Sequence, residues 1–282
     1  MPGQRLGPVE QANQTFYDEL YHHRHPLLVL VHGFISFDQQ SKARPNAALV
    51  RRLLPELRTR GHRQELRALD YGCGWGATLR RLRGAELRLY GYDASSGALH
   101  ALRRSTRLLG PEIRLAEIDA DGRLTPGNFD VIICSHVLEH VPDDDALMTR
   151  LADALTPGGY LVANIPIHEL WEDPKHARRY DQQTLMAKLR KVGLEPCVTW
   201  EGDRWSAFLI ERECVRGANR AIRITLRILR ALLAFMPLSL LERTGDRWLS
   251  GYPRQQCLVA ARKGGLDIEH PQRSVSAVDC SS

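Results

Sequence analysis

Short apolar runs alternate with helical stretches through the middle of this 282-residue chain. The runs that have the length of strands lie at 66–69, 87–90, 113–116, 131–134 and 160–165. Between them, residues 98–109 and 144–155 have the apolar spacing of amphipathic helices. Strands that alternate with helices at this spacing build βαβ units, and such units stack into a parallel sheet. The sequence therefore predicts an α/β fold with a mostly parallel, doubly wound sheet.

The rest of the chain completes the predicted organisation. We expect a further helix over 182–192, which Gly193 ends in the left-handed conformation, and two more strands at 197–200 and 255–261. The predicted divisions are a helical cap over 1–62, a main domain over 63–263 with a helical insertion at about 212–250, and a polar tail over 264–282.

The cap contains one segment that suggests a different fold. Residues 27–34 read LLVLVHGF, and an apolar run that ends in His-Gly is typical of the oxyanion loop of α/β-hydrolases. That fold also needs its nucleophile on a G-x-S-x-G turn, and the chain contains none. We therefore interpret 27–34 as buried apolar chain and keep a hydrolase only as an alternative. The polar segment 39–44 is the part of the cap that we expect to face the site.

The composition is that of a globular protein with a basic balance, a formal net charge of +6 and an isoelectric point near 9.1. Only five of the 39 basic residues are lysines, so we attribute this balance first to a genomic base composition that favours arginine codons. Attraction to an anionic partner is the alternative. The six cysteines form no C-x-x-C pair, which argues against a zinc ribbon or a disulfide framework. The N-terminus lacks the layout of a signal peptide, so we expect a cytoplasmic protein.

A glycine-rich loop follows the first predicted strand. It reads Asp70-Tyr-Gly-Cys-Gly-Trp-Gly76, and its three glycines allow sharp turns and close approach of the backbone to a ligand. The second predicted strand ends at Asp93, about 20 residues after the loop, where a carboxylate can accept hydrogen bonds from ribose hydroxyls. The loop lacks the G-x-G-x-x-G spacing of dinucleotide sites. These two features predict a site for a nucleoside other than a dinucleotide.

The loop closely resembles the first motif of class I S-adenosylmethionine-dependent methyltransferases. Three further motifs of that family follow in the same order: the acidic position at Asp119, the FDVIICSHVLEHV segment at 129–141, and the LTPGGYL turn at 155–161. The resemblance covers about 65–263. Within the family, the chain is most similar to the group of small-molecule and glycan methyltransferases that carry the LEHV motif. It implies a Rossmann-like sheet of seven strands with the last strand antiparallel, and S-adenosylmethionine across the carboxyl ends of the first strands.

The resemblance also implies roles for individual residues. The methionine part of the cofactor would lie on the glycine-rich loop, the ribose on Asp93, the adenine between Asp119 and Ala120, and the methyl group near Ser135. The loop residues concerned are Asp70, Gly72, Cys73, Gly74 and Gly76. Cysteine is common at this position of the family motif, so we interpret Cys73 as a packing residue and not as a nucleophile.

The acceptor side offers histidines as candidate catalytic groups, because an alcohol acceptor must lose a proton. His136 follows the fourth strand, and His176 begins a segment similar to the family's H-x-R-x-[YF] pattern, with Arg178 and Tyr180. These residues either cover the active site or only tie their loop to the sheet. His168 is a third candidate. The fourth strand lacks the [DNS]-P-P-[YFW] motif of enzymes that methylate amino groups of bases, which argues against a nucleic-acid acceptor.

Residues 136–140 also read H-x-x-E-H, a zinc-binding pattern of metalloproteases. A zinc site needs a third protein ligand, and Pro142 interrupts the segment too soon for a long helix to present it. We therefore expect no metal and interpret Glu139 and His140 as structural.

Five arginines recur at helical spacing between the sixth and seventh strands: Arg216, Arg220, Arg223, Arg227 and Arg230. The apolar run 231–241 follows and is too short to span a bilayer. Segment 216–241 thus fits peripheral contact with the inner face of a membrane, or a helix pair packed on the core or in a homodimer with solvated arginines. The second interpretation is slightly preferred.

The favoured function is O-methylation of a small-molecule, glycan or lipid-linked acceptor. The alternatives are RNA methylation and a catalytically silent module that binds S-adenosylmethionine.

Overall fold

The computed structural model describes residues 31, 34–60, 65–109, 112–170, 173–215 and 219–264. The strands of these ranges are β1 (Leu66–Tyr71), β2 (Leu87–Tyr92), β3 (Ile113–Leu115), β4 (Glu117–Ile118), β5 (Leu124–Thr125), β6 (Phe129–Ser135), β7 (Leu155–Pro166), β8 (Leu194–Gly202) and β9 (Gln256–Lys263). The helices are α1 (Phe37–Arg60), α2 (Ala77–Arg81), α3 (Ser96–Leu109), α4 (Asp144–Ala154), α5 (Gln182–Lys191), α6 (Arg204–Ile210), α7 (Arg220–Phe235) and α8 (Leu238–Trp248). A 3-10 turn spans Leu138–His140, and a π-helical turn spans Glu211–Val215.

Seven of these strands form one sheet in the order β3-β2-β1-β6-β7-β9-β8. The pairs among β3, β2, β1, β6 and β7 are parallel, and β9 is antiparallel to both β7 and β8. The order reverses at β1, so the carboxyl ends of β1 and β6 flank the point where a ligand binds in open α/β sheets. This topology confirms the predicted doubly wound, seven-stranded fold with an antiparallel last strand.

Helices cover both faces of the sheet, as the buried strands require. One face packs against α4 and α5 through residues such as Met148, Leu151 and Leu185. The other face packs against α1, α2 and α3 through residues that include Val50 and Leu79. Both faces of β6 and β7 are therefore sealed, and only the ends of these strands remain available for chemistry.

Most predicted strands begin or end one to five residues away from their observed limits. The largest difference is β7, which starts at Leu155, a residue that the apolar spacing predicts to be helical. Leu155 pairs with Phe129, and a register shift between Phe129 and Val131 lets the Thr-Pro-Gly-Gly turn stay within the strand. Pairing with β6 therefore overrides the local turn signal. Gly193 has a φ of 76° just after α5, which confirms the predicted left-handed end of that helix.

The cap departs from one prediction. Val31 and Phe34 are exposed, so the interpretation of 27–34 as buried chain is wrong for these two residues. Residues 27–30 and 32–33 of that segment lie outside the described residues, as do 265–282 of the predicted tail. The first deeply buried aromatic residue of the described cap is Phe37, which packs with Leu209, Leu233 and other residues of the helical layer between β8 and β9.

That helical layer comprises α6, the π-helical turn, α7 and α8. Arg44 of α1 donates hydrogen bonds to the carbonyl oxygens of Leu233, at 3.2 Å, and Ala234, at the end of α7. Cations stabilise helix C-termini in this way, so Arg44 fastens the end of α7 to α1. Among the described helices, none combines the length and the apolar character that crossing a bilayer requires.

Candidate functional site

The glycine-rich loop lies between β1 and α2 and is fastened to β2. The amides of Gly72 and Cys73 donate to the carbonyl oxygen of Tyr92 at 2.8 and 2.9 Å. Gly72, Gly74 and Gly76 all have positive φ angles of 49° to 79°, which L-residues with a side chain rarely adopt. The sequence prediction of a sharply turning loop after the first strand is therefore confirmed.

Two of these glycines are also required by space. A Cβ atom on Gly72 would overlap the side chain of Val137, which follows β6, and one on Gly76 would overlap Leu102 of α3. The side chain of Val137 thus packs directly against the backbone of the loop. Any side chain at Gly72 would push the loop away from the segment after β6.

Asp93 connects the tip of β2 to the same loop. Its Oδ2 accepts a hydrogen bond from the amide of Gly74 at 2.8 Å, and its Oδ1 accepts one from the amide of Ser95 at 2.9 Å. Each carboxylate oxygen can accept more than one hydrogen bond, so the group retains capacity for hydroxyl donors. The fit to a ribose is therefore good, because the carboxylate is held in place by the loop that would carry the rest of the nucleoside.

Asp70 lies at the end of β1 and is buried. Burial, together with the negative charge of Asp93, raises the pKa of Asp70 to about 7. A cation placed between the two carboxylates would relieve this repulsion and favour the ionised form. The ammonium group of a methionine moiety is such a cation, so the pair suits the ligand that the motif implies.

Asp119 and Ala120 follow β4 at the turn of the β4–β5 hairpin, and both are exposed. Oδ1 of Asp119 accepts hydrogen bonds from the amides of Asp121, at 3.0 Å, and Arg123, at 2.8 Å. The carboxylate therefore shapes its own turn, at the edge of the sheet beyond β3. Among the described residues, the hydrogen bonds of the Asp119 carboxylate stay within its own turn and do not reach the glycine-rich loop, and the adenine role of Asp119 and Ala120 stays a prediction.

Ser135 is the last residue of β6. Its Oγ is buried and has no hydrogen-bond partner among the described residues. Buried hydroxyl groups in proteins are nearly always paired, so an orphan one at the carboxyl end of a central strand points to a ligand. This observation supports the predicted position of Ser135 in the site.

His136 directly follows and has an unusual backbone conformation. Its φ is 54°, and its amide donates to the carbonyl oxygen of Asn164 on β7 at 2.8 Å. Its Nε2 is buried without a partner among the described residues. Burial, and then the charge of Lys42 on α1, lowers the pKa of His136 to about 4, so its imidazole is neutral at neutral pH. The effect of Lys42 places part of the predicted cap segment 39–44 near the end of β6.

Cys73 is buried in the loop, and its thiol is kept protonated. Burial raises its pKa well above the ordinary value, and the charges of Asp93 and Asp70 add to the effect. A nucleophilic cysteine needs a thiolate at neutral pH. The structure therefore favours the packing role that we predicted.

The loop after β7 returns to the turn after β6. Arg178 donates to the carbonyl oxygen of Val141 at 2.8 Å and forms an ion pair with Asp144 at 2.6 Å, and Tyr180 also bonds to Asp144. These two members of the H-x-R-x-[YF] pattern thus tie their loop to the start of α4. His168 lies elsewhere, with an exposed side chain, and its carbonyl oxygen accepts from Gln255 at 2.9 Å.

His176 has a different environment from Arg178 and Tyr180. Its ring lies 4.8 Å from the ring of His140, and its Nδ1 lies 3.0 and 3.1 Å from the two carboxylate oxygens of Glu169. The amide of Ala177 donates to the carbonyl oxygen of Glu139 at 2.7 Å, which fixes the two segments together. The pattern therefore divides into two anchoring residues and one histidine that faces the turn after β6.

Sequence reasoning missed Glu169 and the polar network beneath His136. Asn164 is fully buried within the apolar run of β7 and donates to Asn46 of α1 and Gln256 of β9, both at 3.1 Å. Asn164 could have been noticed in the sequence, because it is a polar residue inside an otherwise apolar strand. Nothing in the local sequence of Glu169 distinguishes it from a surface carboxylate.

Residues 69–161 match the family model described as "Methyltransferase domain". The chain is 32% identical over 97 residues to the ubiquinone biosynthesis O-methyltransferase of Thiobacillus denitrificans, a match that covers 34% of this chain and 42% of that protein. It is 34% identical over 100 residues to the protein of the same name from Albidiferax ferrireducens, covering 33% and 38%. The chain thus spans less than half the length of these curated relatives.

Among solved structures, magnesium protoporphyrin IX methyltransferase (ChlM) from Synechocystis PCC 6803 with bound SAM is similar in fold. The TM-score is 0.52 with 14% identity, and the match covers 93% of this chain and all of that one. The same enzyme with bound SAH gives a TM-score of 0.52 with 13% identity over 90% and 99% of the two chains. At 13–14% identity, these two structures show a similar fold and nothing about the reaction. The evidence for the cofactor is the four sequence motifs and the geometry of the site.

Proposed function

We propose that the chain is a class I S-adenosylmethionine-dependent methyltransferase, which transfers the methyl group of S-adenosylmethionine to a hydroxyl oxygen of a small-molecule, glycan or lipid-linked acceptor. The observation that carries this proposal is the hydrogen bond from the amide of Gly74 to the carboxylate of Asp93. It holds the glycine-rich loop beside the carboxylate that we assign to the ribose. The subgroup defined by the LEHV motif stays a prediction.

The cofactor supplies an electrophilic methyl group on a sulfonium sulfur. We assign its methionine part to Asp70 and the loop Gly72–Gly76, its ribose to Asp93, its adenine to the turn at Asp119 and Ala120, and the region of its methyl group to Ser135. The neighbouring carboxylates of Asp70, which is buried, and Asp93 support this assignment, as does the orphan hydroxyl of Ser135. The protein's main contribution is then to orient the acceptor oxygen and exclude water, because proximity lowers the barrier of a displacement reaction.

We assign proton acceptance from the acceptor hydroxyl to Nε2 of His136. This atom is buried, has no partner among the described residues and lies directly after Ser135, at the end of the central strand. The amide contact with Asn164 fixes the backbone from which the ring extends. His136 can therefore hold a fixed position relative to both the acceptor and the methyl group.

O-methylation is favoured for the acceptor because the curated relatives are named O-methyltransferases and β6 lacks the motif of base N-methylation. An RNA acceptor and a module that binds the cofactor without turnover remain the competing functions. Metabolite extracts of a deletion strain, compared with those of its parent, would show an acceptor that accumulates and a product heavier by one methylene that disappears. A change confined to the RNA fraction would favour the RNA alternative, and no change in either fraction would favour the silent module.

We also propose that α7 contacts an anionic membrane surface, at the inner face of the cytoplasmic membrane. One face of α7 packs on the core through Leu226, Leu233 and Ala234. The opposite face presents large apolar side chains at steps of four, four and three residues, and these are 48 to 69% exposed: Ile224, Ile228, Leu232 and Phe235. An apolar stripe this long on the outer face of a helix is typical of an interfacial helix.

The arginines at the side of this stripe favour a lipid surface over a second copy of the chain. Arg220, Arg223 and Arg227 have no carboxylate within ion-pair distance among the described residues, whereas Arg230 pairs with Asp38 and Glu213 at 2.6 and 2.7 Å. Arg216, the fifth arginine of the predicted stripe, lies outside the described residues. Three unneutralised cations beside apolar side chains match anionic headgroups above acyl chains. A homodimer through the same face would instead bring like charges together.

A further inference from the structure

Three potential metal ligands converge beside the proposed active site: Glu139, His140 and His176. One ligand atom from each lies within 4.8 Å of the other two. Glu139 and His140 belong to the 3-10 turn after β6, and His176 comes from the loop after β7. The turn directly follows Val137, whose side chain packs where a Cβ atom of Gly72 would be, so the cluster borders the glycine-rich loop.

The carboxylate of Glu139 is the strongest sign of a missing partner. Its side chain is fully buried, and Nδ1 of His136 lies 3.4 Å from Oε1, at the long end of an ion-pair contact. Neither oxygen has a donor in good hydrogen-bond geometry among the described residues. A buried carboxylate with so weak a partner is unfavourable, because burial removes its solvation by water. A bound cation would remove this cost.

Each histidine has an oxygen acceptor beside Nδ1, as metal-ligating histidines usually have, and Nε2 of His176 also lies 4.0 Å from a carboxylate oxygen of Asp173. Nδ1 of His176 is directed at the carboxylate of Glu169, and Nδ1 of His140 lies 3.2 Å from the carbonyl oxygen of Lys175. When Nδ1 donates to such an acceptor, the lone pair of the ring is on Nε2, and a carboxylate behind the ring increases its basicity. Glu169 and the Lys175 carbonyl thus act as orienting partners behind the two rings.

This arrangement changes the interpretation of the H-x-x-E-H segment. The sequence argument against a metal rested on the lack of a third ligand, and the fold supplies one from a loop 36 residues away from His140. The ligand set also differs from the protease pattern, because His136 is the member that does not join it.

We propose that Glu139, His140 and His176 bind one divalent first-row transition ion, of which Zn²⁺ is the representative. Two imidazoles and one carboxylate suit such an ion better than Mg²⁺, which prefers an oxygen shell. With three protein ligands, the ion keeps open positions for an oxygen of another molecule. If the proposed function holds, that oxygen belongs to the methyl acceptor, and the ion orients it toward His136.

The binding experiment uses the untagged full chain, freed of metal with a chelator and titrated with ZnCl₂ by calorimetry. We expect one Zn²⁺ ion per chain, weaker binding of Mn²⁺ and no measurable binding of Mg²⁺ at the same concentrations. Glu139→Gln and His176→Ala should abolish the tight binding event. Glu169→Gln should weaken it by about 10- to 100-fold, the usual effect of removing a partner behind a ligating histidine.

The matched control is His100→Ala, because His100 is an exposed histidine of α3 outside the cluster. This variant should bind Zn²⁺ as the wild type does. Circular dichroism checks that every variant is folded. If His176→Ala fails to fold, the Zn²⁺ affinities of Glu139→Gln and Glu169→Gln test the proposal. The proposal is overturned if the folded wild type binds no Zn²⁺, or if Glu139→Gln binds it as tightly as His100→Ala.

A separate titration with S-adenosylhomocysteine distinguishes this proposal from the proposed function. Binding of S-adenosylhomocysteine without Zn²⁺ binding overturns the metal site alone. Zn²⁺ binding without S-adenosylhomocysteine binding supports the metal site and contradicts the methyltransferase function.

Discussion

The carboxylate of Asp93 accepts a hydrogen bond from the amide of Gly74 at 2.8 Å, across the gap between the tip of β2 and the glycine-rich loop. The same side chain accepts from the amide of Ser95, so one carboxylate positions both the loop and the start of α3. If Asp93 also binds the ribose, as we propose, the residue that orders the loop takes part directly in cofactor binding.

Asp93→Ala should weaken binding of S-adenosylhomocysteine. The variant leaves ribose hydroxyls without their acceptor, which costs about 1–3 kcal/mol, or roughly 5- to 150-fold in affinity. Isothermal titration calorimetry measures the effect, and Asp153→Ala, at an exposed position of α4, is the matched control. Equal affinities of the two variants for S-adenosylhomocysteine would contradict the assignment of Asp93 to the cofactor site.

Asp70→Asn should change the pH dependence of folding stability. The folded pKa of Asp70 is about 7, above the ordinary value of an aspartate, because of burial and the charge of Asp93. The folded chain therefore holds a proton that the unfolded chain loses between about pH 4 and pH 7, and Asp70 makes the protein less stable as the pH rises through this window. Asparagine has no such titration, so the stability of the variant relative to the wild type should increase over the same window.

The free energy of unfolding of the variant relative to the wild type should change by at most about 4 kcal/mol, from a shift of about three pKa units at about 1.4 kcal/mol each. Urea unfolding of the cofactor-free proteins at several pH values measures this change. Burial also raises the pKa of Glu242 to about 7, but Glu242 is present in both proteins, so its contribution cancels in the comparison. A difference between the two proteins that does not vary with pH would contradict the assignment.

Much of the fold could be predicted because hydrophobic periodicity and short motifs are local properties. The alternation of strands and helices identified the sheet, and the three glycines and Asp93 identified one side of the site. The polar groups that depend on tertiary contacts could not be found in this way. The apposition of His176 and His140 comes from two loops that follow different strands, and the pairing of Arg44 with the end of α7 joins segments about 190 residues apart.

His136→Gln should lower methyl transfer and leave cofactor binding nearly unchanged. Glutamine is close in size to histidine and lacks a nitrogen that accepts a proton, so the loss should fall on kcat, by about 10²- to 10⁴-fold, as for other general bases. Single-turnover assays with the identified acceptor, together with calorimetry, separate the two effects. A fall in cofactor affinity as large as the fall in rate would indicate a structural role for His136.

Replacing Arg220, Arg223 and Arg227 with Gln should reduce binding to anionic vesicles. Each arginine near such a surface contributes about 1 kcal/mol, so the triple variant should lose roughly 3 kcal/mol of attraction, and the effect should diminish as salt increases. Co-sedimentation with phosphatidylglycerol vesicles measures it.

A matched control replaces three exposed arginines elsewhere, Arg52, Arg114 and Arg190, with Gln and so makes the same change in net charge. If the wild type fails to sediment with vesicles at any salt concentration, α7 does not bind membranes. Equal losses in the two triple variants would show a general effect of charge and no specific surface.

The central claim, that this site binds S-adenosylmethionine, is tested most directly by calorimetric titration of the folded wild-type chain with S-adenosylhomocysteine. We predict saturable binding of one molecule per chain, and competition by S-adenosylmethionine. A folded protein that binds neither compound would contradict the claim.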